Sequence, residues 1–274
     1  MIWFSILAIF ILGLVVGSFI TSYTHRVVRG KSVSKGRSLC PHCKNKISWY
    51  DNIPIVSYIL LGGKCRKCNK KISLRYPLIE LSTAALFTLI ASYSNFCLSN
   101  VQGVSLYSSV LCFWHDSLGV LALPYFLFIT ISLIAIFVTD IENQIIPDFL
   151  SYSLFVFTFL MLIIASPEDL YIRIFTGFAL SLSFLLLHLI TLGRGMGLGD
   201  VKLVIFAGIL LGWKLSLVWV FVSFVIGAIV GVILIAASKA KFGKQIAFGP
   251  FLIASFFLVI FLGDCLLTKL FPFF

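Results

Sequence analysis

The sequence predicts an all-α polytopic membrane protein of about eight transmembrane helices, with a small loop domain inserted after the first of them. Three observations predict it. Of the 274 residues, 60% are hydrophobic and only 11% charged, and the mean hydropathy is +1.10; a soluble domain carries charge on about a quarter of its residues. The apolar residues come in runs long enough to cross a bilayer. Thirteen of the 21 Lys and Arg are confined to the stretch from Arg26 to Arg75. The same figures exclude a disordered chain, a coiled coil and a secreted disulfide scaffold.

Apolar runs place spans at about 2–22, 77–94, 117–139, 149–165, 171–192, 201–213, 215–237 and 248–267. The sixth is short, and the alternatives are a separate tilted helix or one long bent helix continuing into the seventh. Two helices are preferred, because a single one would leave Gly212 and Lys214 in mid-membrane. No Lys or Arg precedes the first run and basic residues follow it, so it reads as an anchor with its N-terminus outside rather than as a cleaved signal. Eight crossings then put loops 23–76, 140–148, 193–200 and 238–247 inside and loops 95–116, 166–170 and 213–214 outside. Eighteen basic residues fall on the inner side and three on the outer, the asymmetry expected of a cytoplasmic face. The net charge of +11 is therefore assigned to topology and to contact with lipid headgroups, not to nucleic acid.

The first inner loop holds two C-x-x-C pairs, Cys40 with Cys43 and Cys65 with Cys68. Four thiolates from two such turns close a tetrahedral Zn2+ shell, leaving no position for water, so the metal is expected to be structural and the loop to be zinc-ribbon-like. The pairs are an internal repeat: at an offset of 25, residues 40–48 and 65–73 share both Cys, a Lys, an Ile and a Ser. A redox role needs one pair only and fits poorly with a reducing compartment. His42, inside the first turn, is read as facing solvent. Cys97 and Cys112 lie in an outer loop, where a disulfide and simple packing are comparable readings; Cys265 is read as facing lipid or core.

Only ten acidic residues are present, so each one near a membrane needs a reason. Asp140 ends the third span; Asp200 follows the fifth, after Gly193, Gly195, Gly197 and Gly199. Two spans lie between them, so both face the same side of the membrane, as a carboxylate dyad requires. Two carboxyls that share a proton can activate water and protonate a scissile carbonyl, and glycines such as Gly197 and Gly199 let an extended peptide approach closely. On composition alone, helix packing explains the G-x-x-x-G pair Gly195 and Gly199, and ion or proton translocation explains the aspartates as well as proteolysis does. Asp148, directly after Pro147, is read as a helix cap.

With those residues in view, the chain resembles the bacterial type IV prepilin peptidases, membrane aspartic proteases with a G-x-G-D signature. The resemblance rests on Asp140 with Ile146 and Pro147, and on Gly197, Gly199, Asp200 and Lys202. It extends to Gly17 through Phe19, Asp51 through Pro54, the four Cys, Ile72 through Pro77 ending at Glu80, and Gln245 through Phe251. It covers essentially the whole chain. It implies a bifunctional enzyme of the bacterial inner membrane that cleaves the leader of type IV prepilins or type II secretion pseudopilins on the cytoplasmic side. The enzyme then N-methylates the new N-terminus with S-adenosylmethionine. By the same carry-over Asp140 and Asp200 are the proteolytic pair, and Cys40, Cys43, Cys65 and Cys68 bind zinc. The implied division is a first helix at 1–22, a zinc loop associated with methyl transfer at 23–76, and a peptidase core at 77–274. Asp51, Arg75 and Glu80 are candidates for the S-adenosylmethionine site, or else hold the loop against the helices. The alternative from another class is an Asp-dependent transporter whose zinc loop docks a cytoplasmic partner.

Overall fold

The computed structural model describes residues 2–27, 38–99, 109–193, 195–237 and 247–270. Arg194, Lys239, Lys241, Lys244 and Gln245, used above for sidedness and resemblance, lie outside them. The described chain is helical: α1 (Ile2–Val27), α2 (Val56–Leu60), α3 (Arg75–Ser99), α4 (Ser109–Leu118), α5 (Ala122–Asn143), α6 (Asp148–Ala165), α7 (Leu170–Ile190), α8 (Leu198–Ala236) and α9 (Gly249–Leu270). Seven helical stretches among the described residues are long and apolar enough to cross a membrane. Two compact units divide the chain, Met1–Asn95 with Leu123–Val138, and Phe96–Ala122 with Thr139–Phe274.

In the first unit α1 and α3 approach through small residues. A Cβ at Gly13 would lie 2.6 Å from Ala84 Cα, and one at Gly17 2.7 Å from Glu80 Cα. Without water to drive association in a bilayer, such close backbone contact is what holds helices together. Ala84, Phe87 and Thr83 are completely buried there.

In the second unit α8 decides the arrangement. A straight helix of its 39 residues would be about 58 Å long, roughly twice the thickness of a hydrocarbon core. It is not straight. Gly212 has φ 72° and ψ 173°, a region open essentially to glycine alone, and there the chain turns back. Ser216 Oγ reaches Gly208 O at 3.5 Å, eight residues earlier. Phe206 and Trp219, on opposite sides of the turn, both contact Phe256 of α9, with ring centroids 5.5 and 6.4 Å apart. The preferred reading of two helices in this stretch thus describes the two arms of α8, and seven continuous stretches become eight apolar segments.

The reversal frees carbonyls that must find donors inside an apolar protein. Trp114 Nε1 donates to Leu210 O at 3.2 Å, and Arg173 Nη1 to the same carbonyl at 3.0 Å, its guanidinium 4.5 Å from the Phe113 ring centre. Hydropathy predicts an outer loop at 95–116, whereas α4 occupies its end. Val110, Leu111, Trp114 and Leu118 recur on one helical face and are buried, a periodicity too short to register as a span. Cys112 of α4 is disulfide-bonded, whereas the side chain of Cys97 lies outside those described.

Candidate active site

Each carboxylate of the candidate dyad is placed by a helix end. Asp140 lies in the last turn of α5, which stops where Gln144 adopts a left-handed conformation (φ 54°) and returns its N–H to Asp140 O at 2.9 Å. Asp200 lies in the first turn of α8. Gly197 is the N-cap, and its N–H donates to Asp200 Oδ2 at 3.2 Å, so Asp200 satisfies an otherwise free amide at its own helix start. Ser181 Oγ of α7 donates to Val201 O at 3.0 Å, fixing that end of α8 against α7. Further along, a Cβ on Gly208 would sit 2.7 Å from Gly177 Cα, so the two helices meet backbone to backbone.

The third element is α9, oriented by Trp219 Nε1, which donates to Leu252 O at 2.8 Å. Its first residue, Gly249, directs its N–H to the Asp140 carboxylate. A Cβ on Gly249 would collide with Asp140 Oδ2 and lie 3.3 Å from Asp200 Oδ1. Both of these oxygens are buried without a hydrogen-bond partner among the described residues. Asp140 and Asp200 are 5% and 4% exposed. Two nearly buried carboxylates thus converge on the bare α-carbon of Gly249, each with one oxygen held by a backbone N–H near a helix N-terminus and the other open.

The pair opens onto a cleft of about 250 Å³, whose walls include Gln144, Ile146, Met196, Gly197, Ala247 and Phe248. Of the two glycines singled out in the sequence, Gly197 lines the cleft, and among the described residues Asp200 Oδ2 and the Gly199 N are the atoms near its free face. Gly199 also lines the cleft, but a Cβ there would lie 2.8 Å from Ile146 Cβ. Its lack of a side chain seats the α5–α6 connection on α8. Asp148 at the start of α6 binds Lys202 Nζ at 2.6 Å. Sequence reasoning missed Gly249; its signal is a Gly-Pro step opening the last apolar run, the composition of a helix start.

The four cysteines gather in the other unit. Cys40 N–H donates to Asn45 O and Cys65 N–H to Lys70 O, at 3.0 and 2.9 Å. Lys44 and Asn69 take the matching left-handed conformation, and each turn carries one isolated bridge, Leu39 with Lys46 and Lys64 with Lys71. The repeat of 25 is thus a repeat in three dimensions. The four sulfurs lie within 4.8 Å of one another, with Cys40 and Cys68 3.9 Å apart. Zinc–sulfur bonds of about 2.3 Å put tetrahedral sulfurs about 3.8 Å apart, so the set fits a metal ion. The N–H groups of Cys68 and Lys67 hold the Cys65 thiol down to about 7. Cys68, despite the Lys70 N–H that favours its thiolate, is pushed up to about 11 by burial and the neighbouring sulfurs. Four thiolates coexist here only around a cation. His42 is exposed and is not part of the cluster.

Asp51, Arg75 and Glu80 are each engaged within the chain. Asp51 pairs with Arg66 at 2.8 Å, Arg75 Nη2 donates to Thr24 Oγ1 at 3.4 Å, and Glu80 Oε2 accepts from the Ile55 N–H at 2.8 Å. The first of these contacts lies within the loop, the second joins α3 to α1, and the third ties the loop to α3.

Comparison with known proteins adds an independent line. Residues 11–94 match the bacterial peptidase A24 N-terminal domain and residues 127–232 the type IV leader peptidase family. The chain is 30% identical to a prepilin leader peptidase/N-methyltransferase of Pseudomonas aeruginosa, over 94% of this chain and 91% of that one. It is 33% identical to the protein of that name from Vibrio cholerae, over 92% and 94%, and 31% identical to that from Neisseria gonorrhoeae, over 93% and 89%. No solved structure matches significantly. Cysteine turns, paired aspartates and near full-length similarity agree: this chain belongs to the type IV leader peptidase family.

Proposed function

We propose that the protein cleaves the leader peptide of type IV prepilins or type II secretion pseudopilins and N-methylates the residue thereby exposed. The observation that carries the proteolytic half is the convergence of Asp140 and Asp200 on Gly249, each with an unpartnered oxygen at the cleft. In the reaction one carboxylate takes a proton from a water held between them while that water's oxygen attacks the scissile carbonyl carbon. The other, entering protonated, gives its proton to the carbonyl oxygen. Collapse of the tetrahedral intermediate expels the amine, which takes a proton from the first carboxyl, while a hydroxyl of the intermediate returns its proton to the second carboxylate as the new carbonyl forms. Gly197, open on the cleft side, leaves room for an extended backbone to lie beside the dyad.

S-adenosylmethionine supplies the methyl group when bound. Since Asp51, Arg75 and Glu80 are occupied by intrachain contacts, no step of methyl transfer is assigned to them. Cys40, Cys43, Cys65 and Cys68 would hold Zn2+ as a structural tie between the two cysteine turns, in a loop domain spanning 23–76 and associated with the methyltransferase activity. The charge asymmetry supports an inner-membrane protein with its N-terminus outside and with the dyad and cysteine loop cytoplasmic.

The test is incubation of the purified protein with a prepilin peptide and labelled S-adenosylmethionine, followed by the mass of the product N-terminus. Wild type removes the leader and adds one methyl group. Asp140→Asn and Asp200→Asn each lower cleavage by about 1,000-fold or more while the protein stays folded; normal processing by either variant rejects the dyad. Leader removal without methyl addition leaves the protease and withdraws the transferase.

A further inference from the structure

The cysteine loop carries a surface that neither the dyad nor the metal set uses. In α2 the residues Val56, Ile59 and Leu60, spaced i, i+3 and i+4, share one face, and all three are exposed; Leu60 is 80% exposed. The short 3-10 turn at Trp49–Asn52 contacts α2 and adds exposed Trp49 and Tyr50, with Ile53 exposed between the two. Arg66 braces this turn: it bonds Asp51 and lies over the Tyr50 ring, 5.5 Å from its centre. The same loop is strongly basic: residues 38–74 present Lys44, Lys46, Lys64, Arg66, Lys67, Lys70 and Lys71, all exposed, against a single acid, Asp51, already paired.

The depth of this surface is fixed by the chain. Ile55, held at φ 59°, directly precedes α2, and its N–H bonds Glu80, the sixth residue of the apolar helix α3. Glu80 is therefore about 7 Å along the axis from the start of α3. The Gly17 contact at Glu80 Cα ties the same level to α1. The start of α2 thus sits near the second turn of α3 and the level of Gly17 in the C-terminal half of α1, so its exposed apolar face lies where the headgroup and upper acyl region meet those helices. Aromatic side chains with a lysine-rich surround are the composition that partitions there, and anionic headgroups attract the lysines.

We propose that the Trp49–Leu60 surface is a lipid-docking face. Val56, Ile59 and Leu60 enter the interfacial region of the bilayer, and the lysines of the same loop bind anionic phospholipid headgroups, so that the cysteine loop is moored to the membrane plane as well as to α3.

The test uses the full-length protein with Leu60→Trp, reconstituted in vesicles of phosphatidylcholine alone or with phosphatidylglycerol, each with or without bromine on the acyl chains. The emission added by Leu60→Trp is expected to shift to the blue and to lose most of its intensity to brominated lipid. The loss should be greater with phosphatidylglycerol, and that excess should disappear in high salt or when Lys44, Lys46, Lys67 and Lys70 are changed to Gln. Quenching by aqueous acrylamide with none by brominated lipid overturns the proposal. So does a reporter shielded from both, which means that protein covers the face, and so does equal quenching in the two lipids at low salt, which removes the headgroup interaction.

Discussion

Gly249 carries the most information per atom in the candidate site. Its hydrogen side chain leaves space at the point where Asp140 and Asp200 turn their open oxygens. Gly249→Ala should leave the thermal midpoint within a few degrees of wild type, since alanine is the better helix former. It should also displace the Asp140 carboxylate and lower leader cleavage about 100-fold, the scale for misplacing a reacting group by an ångström; peptide cleavage and thermal unfolding of the same preparation check both. Asp140 and Asp200 were legible in the sequence because carboxylates are scarce and parity sets them on one side. Gly249 was not, because nothing local distinguishes a glycine that clears a carboxylate from one that starts a helix. Gly199 adds a contact that spacing alone does not give: it lines the cleft and also receives Ile146 where a Cβ would stand.

At the level of elements, the α8 reversal and the cysteine turns make separable demands. Gly212 occupies backbone space closed to other residues, while a Cβ there would find Arg173 no nearer than 3.5 Å. Gly212→Ala should therefore cost about 1–3 kcal/mol through backbone strain alone, measured by chemical or thermal unfolding in detergent; an unchanged stability would show that the turn has relaxed. The sequence identified the interruption from a short apolar run ending near Lys214, but not the Trp114 and Arg173 donors that complete it. Those donors come from α4, left as loop, and from the start of α7. The cysteine turns were legible in full, since ligand spacing and repeat are local. Cys65→Ser should lower bound zinc to well below one equivalent per chain by elemental analysis and open residues 38–73 to protease; full zinc occupancy in that variant rejects the four-sulfur site.

For the whole molecule, charge asymmetry predicts which side each connection occupies. A reporter active only in the cytoplasm should be active when inserted at 238–246 and silent at 101–108; the opposite pattern would invert the proposed topology without disturbing the parity of Asp140 and Asp200. The sequence by itself determined the membrane class, the approximate spans, the cysteine site and the shared side of the two aspartates. Each is written in composition, run length or spacing, and each follows from the free energy of moving a local segment between water and lipid or of closing a short metal loop. Only the tertiary structure decided that α8 folds back at Gly212, that Gly199 seats Ile146, and that α9 brings Gly249 between the carboxylates. Those outcomes rest on steric contact between segments far apart in the chain. Hydropathy sets how deep a helix lies and leaves open which neighbour it touches.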